Sequence, residues 1–165
     1  MKYDVILLSS SIGIRSIGSY RIRTVLEQHG YNVKIIDFCH EIESRSVLQA
    51  LITRYCSSET KMIGFSTTFW FARDDDTPST IVEDDGVKDI HKLNQLTTWI
   101  KSSWPDVTIV LGGAQAYETN VSNIDYKVVG YADTSIIALM DKITGKSNDL
   151  KLKILHNKKN NIPIV

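Results

Sequence analysis

The stretch VILLSSSIGIRSIGSYRIRTVLEQHGYNVKIID, residues 5–37, decides the fold. Val5–Ser9 is a continuous apolar run ending in hydroxyls, short enough for a strand buried on both faces. A turn rich in glycine and serine follows, and Ser16 stands where it can cap a helix. That helix would present Ile17, Tyr20, Val25 and Leu26 on its apolar side, with Arg21, Arg23, Glu27 and Gln28 pointing elsewhere. Gly30 would end it, because glycine tolerates the left-handed conformation at that position. Asn32–Phe38 is then a second strand. The turn runs G-x-x-x-x-G-S from Gly13 to Ser19, which is a phosphate-binding loop without its lysine. G-x-G-x-x-G is also absent, so Asp37 lacks the glycine fingerprint that a ribose-binding acid would accompany.

The same alternation continues along the chain. Val47, Leu48, Leu51, Ile52 and Tyr55 repeat at helical spacing behind a candidate cap at Ser44. Lys61–Thr67 is a third strand, and a third helix carries Val87, Ile90, Leu93, Leu96 and Ile100 before stopping near Trp104-Pro105. Val107–Leu111 and Tyr126–Val129 are the fourth and fifth strands. A last helix, capped by Asp133 or Thr134, runs through Ile136, Ile137, Leu139, Met140 and Ile143 to Gly145. Strands separated by helices give an α/β fold: a five-stranded parallel sheet of flavodoxin-like, Rossmann-like type, order 2-1-3-4-5, with helices on both faces. Residues 1–145 form this domain, and 146–165 are an extension or linker. In that tail Leu150, Leu152 and Ile154 alternate with lysines, and NIPIV could pair back as a hairpin, outside the wound sheet.

Composition narrows the function classes. The chain has 165 residues, no net charge, 42% hydrophobic residues and 23% charged ones. This is globular and gives no pull toward nucleic acid or anionic lipid. The first apolar run is too short for a membrane span. Cys39 and Cys56 lack C-x-x-C or zinc spacing and read as structural thiols of a reduced, cytoplasmic protein. No G-x-S-x-G elbow marks a hydrolase. No catalytic residue and no metal ligand is singled out.

In open parallel sheets, ligands bind beyond the carboxyl ends of the strands. Those ends carry Ser9-Ser10-Ser11, Asp37, Ser66-Thr67-Thr68, Gly112-Gly113 and Gly130. Glycine permits close approach, and hydroxyls hydrogen-bond without charge. Such an edge suits a large neutral or heterocyclic ligand better than a triphosphate.

Four motifs then stand in order: GSYRIRTVLEQHGYNVKIID (18–37), IGFSTTF (63–69), WPDVTIVLGGAQA (104–116) and DYKVVGYAD (125–133). Together they resemble the cobalamin-binding domain found N-terminal to radical S-adenosylmethionine enzymes, over residues 3 to 145. The resemblance implies a corrinoid cofactor and a catalytic domain in cis or trans. Ser66, Thr67 and Thr68 would hydrogen-bond the nucleotide tail. Gly112, Gly113 and Ala114 would pass under it, and Gly130, Tyr131 and Ala132 would close the other side. The turn with Ser10, Ser11 and Gly13 would face the corrin ring. Arg15, Arg21 and Arg23 could meet the tail's phosphate, although a solvated helix face is the ordinary role for the last two.

There are departures. The D-x-H-x-x-G signature of many cobalamin proteins is missing, so none of His29, His40, His91 or His156 is offered as an axial ligand from the usual place. Many radical enzymes of this family also lack it. The fifth-strand acids have become Tyr131 and Asp133. The C-x-x-x-C-x-x-C run for an iron–sulfur cluster is absent, so the cluster and S-adenosylmethionine would belong to another domain. A tail ending in mid-pattern at Val165 favours a fragment. In residues 69–86, Phe69, Trp70 and Phe71 precede six acids; they could cover a ring, hold a hard cation, or form a solvated loop.

Two alternatives remain. One is a ligand-free interaction or regulatory module of receiver shape, although Ser9, Ser66 and Gly130 stand where a receiver needs two acids and a lysine. The other is a flavin-binding protein, favoured by the hydroxyl-rich first turn.

Overall fold

The computed structural model describes residues 2–9, 17–39, 42, 44–66, 92–113, 116–117, 119–130, 132–146, 155–156 and 162–164. Seven strands make one sheet: β1 (Val5–Leu8), β2 (Val33–Ile36), β3 (Met62–Ser66), β4 (Thr108–Gly112), β5 (Tyr126–Val128), β6 (Leu155–His156) and β7 (Pro163–Ile164). Their order is β2-β1-β3-β4-β5-β7-β6, and every pairing but β6–β7 is parallel. The 2-1-3-4-5 core is the one expected.

The tail departs from expectation, because β7 joins the wound sheet beside β5 through the pair Lys127↔Ile164. β6 pairs antiparallel with β7, as the hairpin reading anticipated. Ile164 is buried, which gives the added strand its reason to dock. Pro163 stands at the first position of β7, where its missing N–H is tolerated.

Helices α1 (Ile17–Gln28), α2 (Arg45–Tyr55), α3 (described over 92–103) and α4 (Ala132–Ile143) cover the two faces. One core joins Ile6, Leu8, Ile63, Phe65, Ile109 and Leu111 to Leu48 and Ile52 of α2 and to Leu93, Leu96 and Ile100 of α3. The other joins Val5, Leu7, Met62, Val110 and Val128 to Leu26 of α1 and to Ile136, Leu139 and Met140 of α4. Successive strand residues therefore serve opposite cores, as a period of two requires.

α1 and α4 end alike. Tyr31 N–H reaches Leu26 O (3.1 Å) and Lys146 N–H reaches Asp141 O (2.8 Å). Gly30 at φ +83° and Gly145 at φ +69° supply the left-handed step between. Ser44 occupies the cap position of α2, but its hydroxyl meets Ser46 Oγ (2.8 Å) and no capping bond forms.

Two helix readings need correction. Ile17 was expected on the buried side of α1 but is 82% exposed, because the first turn projects past the strand ends; Ser19 and Leu26 are the buried residues of that helix. α4 begins at Ala132, ahead of both expected caps, so Asp133 lies within its first turn. Ser16, the acidic stretch 69–86, Val87, Ile90 and Leu150–Ile154 lie outside the described residues.

Candidate functional site

α1 follows β1 and α4 follows β5, so both helices lie over the same face, with β3 and β4 between their parent strands. The two helices touch. Where their N-terminal turns rise beyond the strands, a cavity of about 550 Å³ remains between them and the sheet. That is an ordinary size for a small-molecule site.

The cavity is built by strand alternation. Its floor comes from Leu7 of β1, from Met62, Gly64 and Ser66 of β3, from Val110 and Gly112 of β4, and from Val128 of β5. From Met62 to Ser66 the floor runs four residue steps, roughly 13 Å at the rise of an extended strand. Its sides are the first turns of α1, with Ile17, Gly18, Arg21 and Ile22, and of α4, with Ala132, Asp133 and Ile136. Gly113 and Gly130 border it at the carboxyl edge.

Three glycines in this lining have different causes. A Cβ at Gly64 would come within 2.9 Å of Leu7 Cδ2, so that glycine serves the fold's own packing. A Cβ at Gly112 would meet nothing closer than Val128 O at 3.8 Å. A Cβ at Gly18 would meet nothing within 4 Å. Glycine near the start of a helix costs stability relative to alanine, and the protein's own packing requires none at Gly18. What the two glycines without a packing cause leave open is cavity space. Gly113 at φ +106° and Gly130 at φ +86° hold turns that side-chain-bearing residues adopt with strain.

Among the described residues the interior is neutral. Arg21 and Asp133 are the charged residues among the described lining, and they pair with each other across the mouth, from α1 to α4. No lysine lines the cavity among the described residues. The site therefore suits an uncharged or heterocyclic group lying deep against apolar walls, with hydroxyl and backbone contacts at the rim.

Of the twelve residues that the resemblance assigns to the cofactor, five are described, and all five line the cavity: Ser66, Gly112, Gly113, Gly130 and Ala132; Ser9, Asp37 and Arg23, also named from the sequence, do not line it. Ser10, Ser11, Gly13, Thr67, Thr68, Ala114 and Tyr131 lie outside the described residues. Arg21, expected on a solvated face, is largely exposed yet also borders the cavity. Leu7, Gly64, Met62 and Val110 were not singled out, and Gly18 was noted in the glycine-rich turn without a role at the site. Alternation was the available signal: stepping back two and four residues from Ser66, or two from Gly112, names Gly64, Met62 and Val110.

Elsewhere, Lys127 is fully buried on the opposite side of β5. Its Nζ donates to Thr119 O (2.8 Å) and Tyr117 O (3.2 Å), and burial lowers its pKa. It ties the segment after β4 to β5. Burial pushes the Cys39 thiol up to about 12 and also raises Cys56, as structural thiols behave.

Comparison with known proteins gives a likeness at the level of solved structures. A structure of TsrM, a radical S-adenosylmethionine methyltransferase from Kitasatospora setae, with tryptophan substrate and an S-adenosylmethionine analogue, matches with a TM-score of 0.63. The match is 14% identical and covers 94% of this chain and 29% of that one. A structure of the same enzyme with cobalamin and a 4Fe-4S cluster matches with a TM-score of 0.62, at 16% identity, over 94% and 28% of the two chains. The likeness establishes the fold. The chain spans under a third of the length of the enzyme it matches. No family model matches, and no curated protein does.

Proposed function

We propose that this chain is a cobalamin-binding domain, the module that holds the corrinoid in a cobalamin-dependent radical S-adenosylmethionine enzyme. The observation that carries the reading is the neutral slot between α1 and α4, kept open by Gly18 and Gly112 without any packing need. A slot about four strand residues deep fits a nucleotide tail inserted edge-on. Ser66 and Thr67, with Thr68 beyond them, would hydrogen-bond the tail. Gly112, Gly113 and Ala114 would run beneath it, and Gly130, Tyr131 and Ala132 would close the far wall. The turn with Ser10, Ser11 and Gly13 would face the ring.

The bound corrinoid would supply methyl-transfer or other cobalt chemistry, and this chain would set its position and shield its tail from water. The slot would belong to residues 1–145, with 146–165 extending the sheet. The iron–sulfur cluster and S-adenosylmethionine would belong to a catalytic domain in cis or trans. The similarity to an enzyme solved with cobalamin supports this reading. Free thiols at Cys39 and Cys56 fit a reducing cytoplasm, and among the described residues no helix is long and apolar enough to cross a membrane.

Spectral titration of the purified chain with hydroxocobalamin, with cobinamide (the corrin without its nucleotide) and with flavin mononucleotide tests the proposal. Cobalamin binding at least about tenfold tighter than cobinamide is expected, since the slot is assigned to the tail. Equal affinity for the two corrinoids, or binding of the flavin alone, would overturn it.

A further inference from the structure

Of the arginines around the first turn, Arg15 lies outside the described residues, and the other two part ways. Arg23 turns along α1 to Glu27 (2.8 Å) and does not line the cavity. Arg21 lines it, and its guanidinium crosses from α1 to α4 to meet the Asp133 carboxylate. The cations at the far end of α4 are engaged elsewhere: Lys142 lies over the Tyr126 ring (5.2 Å) and Lys146 over the Tyr31 ring (4.4 Å). Arg21 is thus the cation that the described lining presents to a ligand, at the mouth of a slot whose other described walls carry no positive charge.

Its bond to Asp133 is a weak hold. The two side chains are 61% and 29% exposed, and an ion pair so open to water contributes little. Asp133 does not depend on it, because the first turn of α4 places the carboxylate at the positive end of a helix, which stabilises an anion. A guanidinium presents a planar fork that matches two oxygens of a phosphate, and such a bidentate contact is stronger than an ordinary hydrogen bond. In cobalamin the covalent order is corrin, linker, phosphodiester, ribose, base. A tail inserted base-first therefore carries its one anionic group nearer the mouth than its ribose, on the side where Arg21 stands.

We propose that Arg21 is the residue by which the slot recognises a phosphate: as the tail enters, the guanidinium leaves Asp133 and takes the non-bridging oxygens of the phosphodiester. This rests on the cobalamin reading and names the group on that ligand which Arg21 selects. Asp133 competes with the phosphate for the same guanidinium, so the pair sets how strongly the phosphate is favoured.

The test titrates the whole chain spectrally with hydroxocobalamin, with cobinamide, and with cobinamide phosphate, which differs from cobinamide by that group alone. Wild type should prefer cobinamide phosphate to cobinamide about tenfold, as expected for a hydrogen-bonded contact between charged groups. Arg21→Gln should erase that preference and weaken hydroxocobalamin about tenfold, with cobinamide unchanged. Arg21→Lys, which keeps the charge without the fork, should lose about threefold. Asp133→Asn, which frees the guanidinium, should tighten hydroxocobalamin about threefold. An equal loss of all three ligands in Arg21→Gln, or no loss of any while Gly112→Leu weakens hydroxocobalamin, would overturn the phosphate role and leave the slot standing. Weaker hydroxocobalamin binding by Asp133→Asn would overturn the competition. Wild type that binds no corrinoid would overturn the cobalamin reading itself, and this assignment with it.

Discussion

β3 carries Ile63 and Phe65 to one face of the sheet and Met62, Gly64 and Ser66 to the other. β4 does the same, with Ile109 and Leu111 opposed to Val110 and Gly112. On the α2–α3 face, side chains such as Ile63, Ile109, Leu111 and Ile100 are fully buried against one another. On the α1–α4 face, Val5, Leu26 and Leu139 are fully buried in the second core. Toward the carboxyl ends it gives way to glycine and a cavity. One backbone thus supports two jobs, because alternation keeps its faces independent. Cohesion is concentrated where the side chains are large, and the open face can hold glycine without unfolding the sheet.

This contrast can be broken by substitution. Ile109→Ala, on the packed face, should lower unfolding free energy by about 2–5 kcal/mol in urea titration, with corrinoid affinity preserved wherever the variant remains folded. Gly112→Leu, one strand position out of phase, should do the reverse. Its Cβ would meet no atom closer than Val128 O at 3.8 Å, and Gly112 lines the cavity, so stability should change by under about 1 kcal/mol while cobalamin binding weakens about a hundredfold. Lys127→Met should cost about 1–3 kcal/mol by leaving the Tyr117 and Thr119 carbonyls without their buried donor. Arg21→Ala removes an exposed ion pair and should shift stability by under about 1 kcal/mol.

The thiols sharpen the contrast chemically. With its pKa pushed up to about 12 by burial, Cys39 should resist alkylation at pH 8 in the native protein, and Cys56, less buried, should react first by mass spectrometry. The sign follows for stability. The folded state keeps the Cys39 proton that the unfolded chain releases near pH 9, so this site's contribution is lost as pH rises from about 9 toward 12.

The sheet order was legible because each strand of the core is a short apolar run separated by a helical pattern. The tail hairpin was legible too, but its docking beside β5 was not, since β6 and β7 span two residues each and hold the sheet through a single pairing with β5. No periodicity exists over two residues. At the site, the small residues of the strand ends were readable, since glycine and serine clusters interrupt apolar runs. The walls were not. Met62, Val110 and Ile136 look like any core residue, and only the spacing of α1 and α4 decides whether they face a neighbour or a void. The Arg21–Asp133 pair spans 112 positions and leaves no local trace.

The most direct measurement is retention of corrin absorbance after desalting, compared between wild type and Gly112→Leu at matched melting temperature. The slot account predicts a coloured wild-type eluate and a colourless variant. A colourless wild type, or a variant that keeps the corrin bands undiminished, would contradict it.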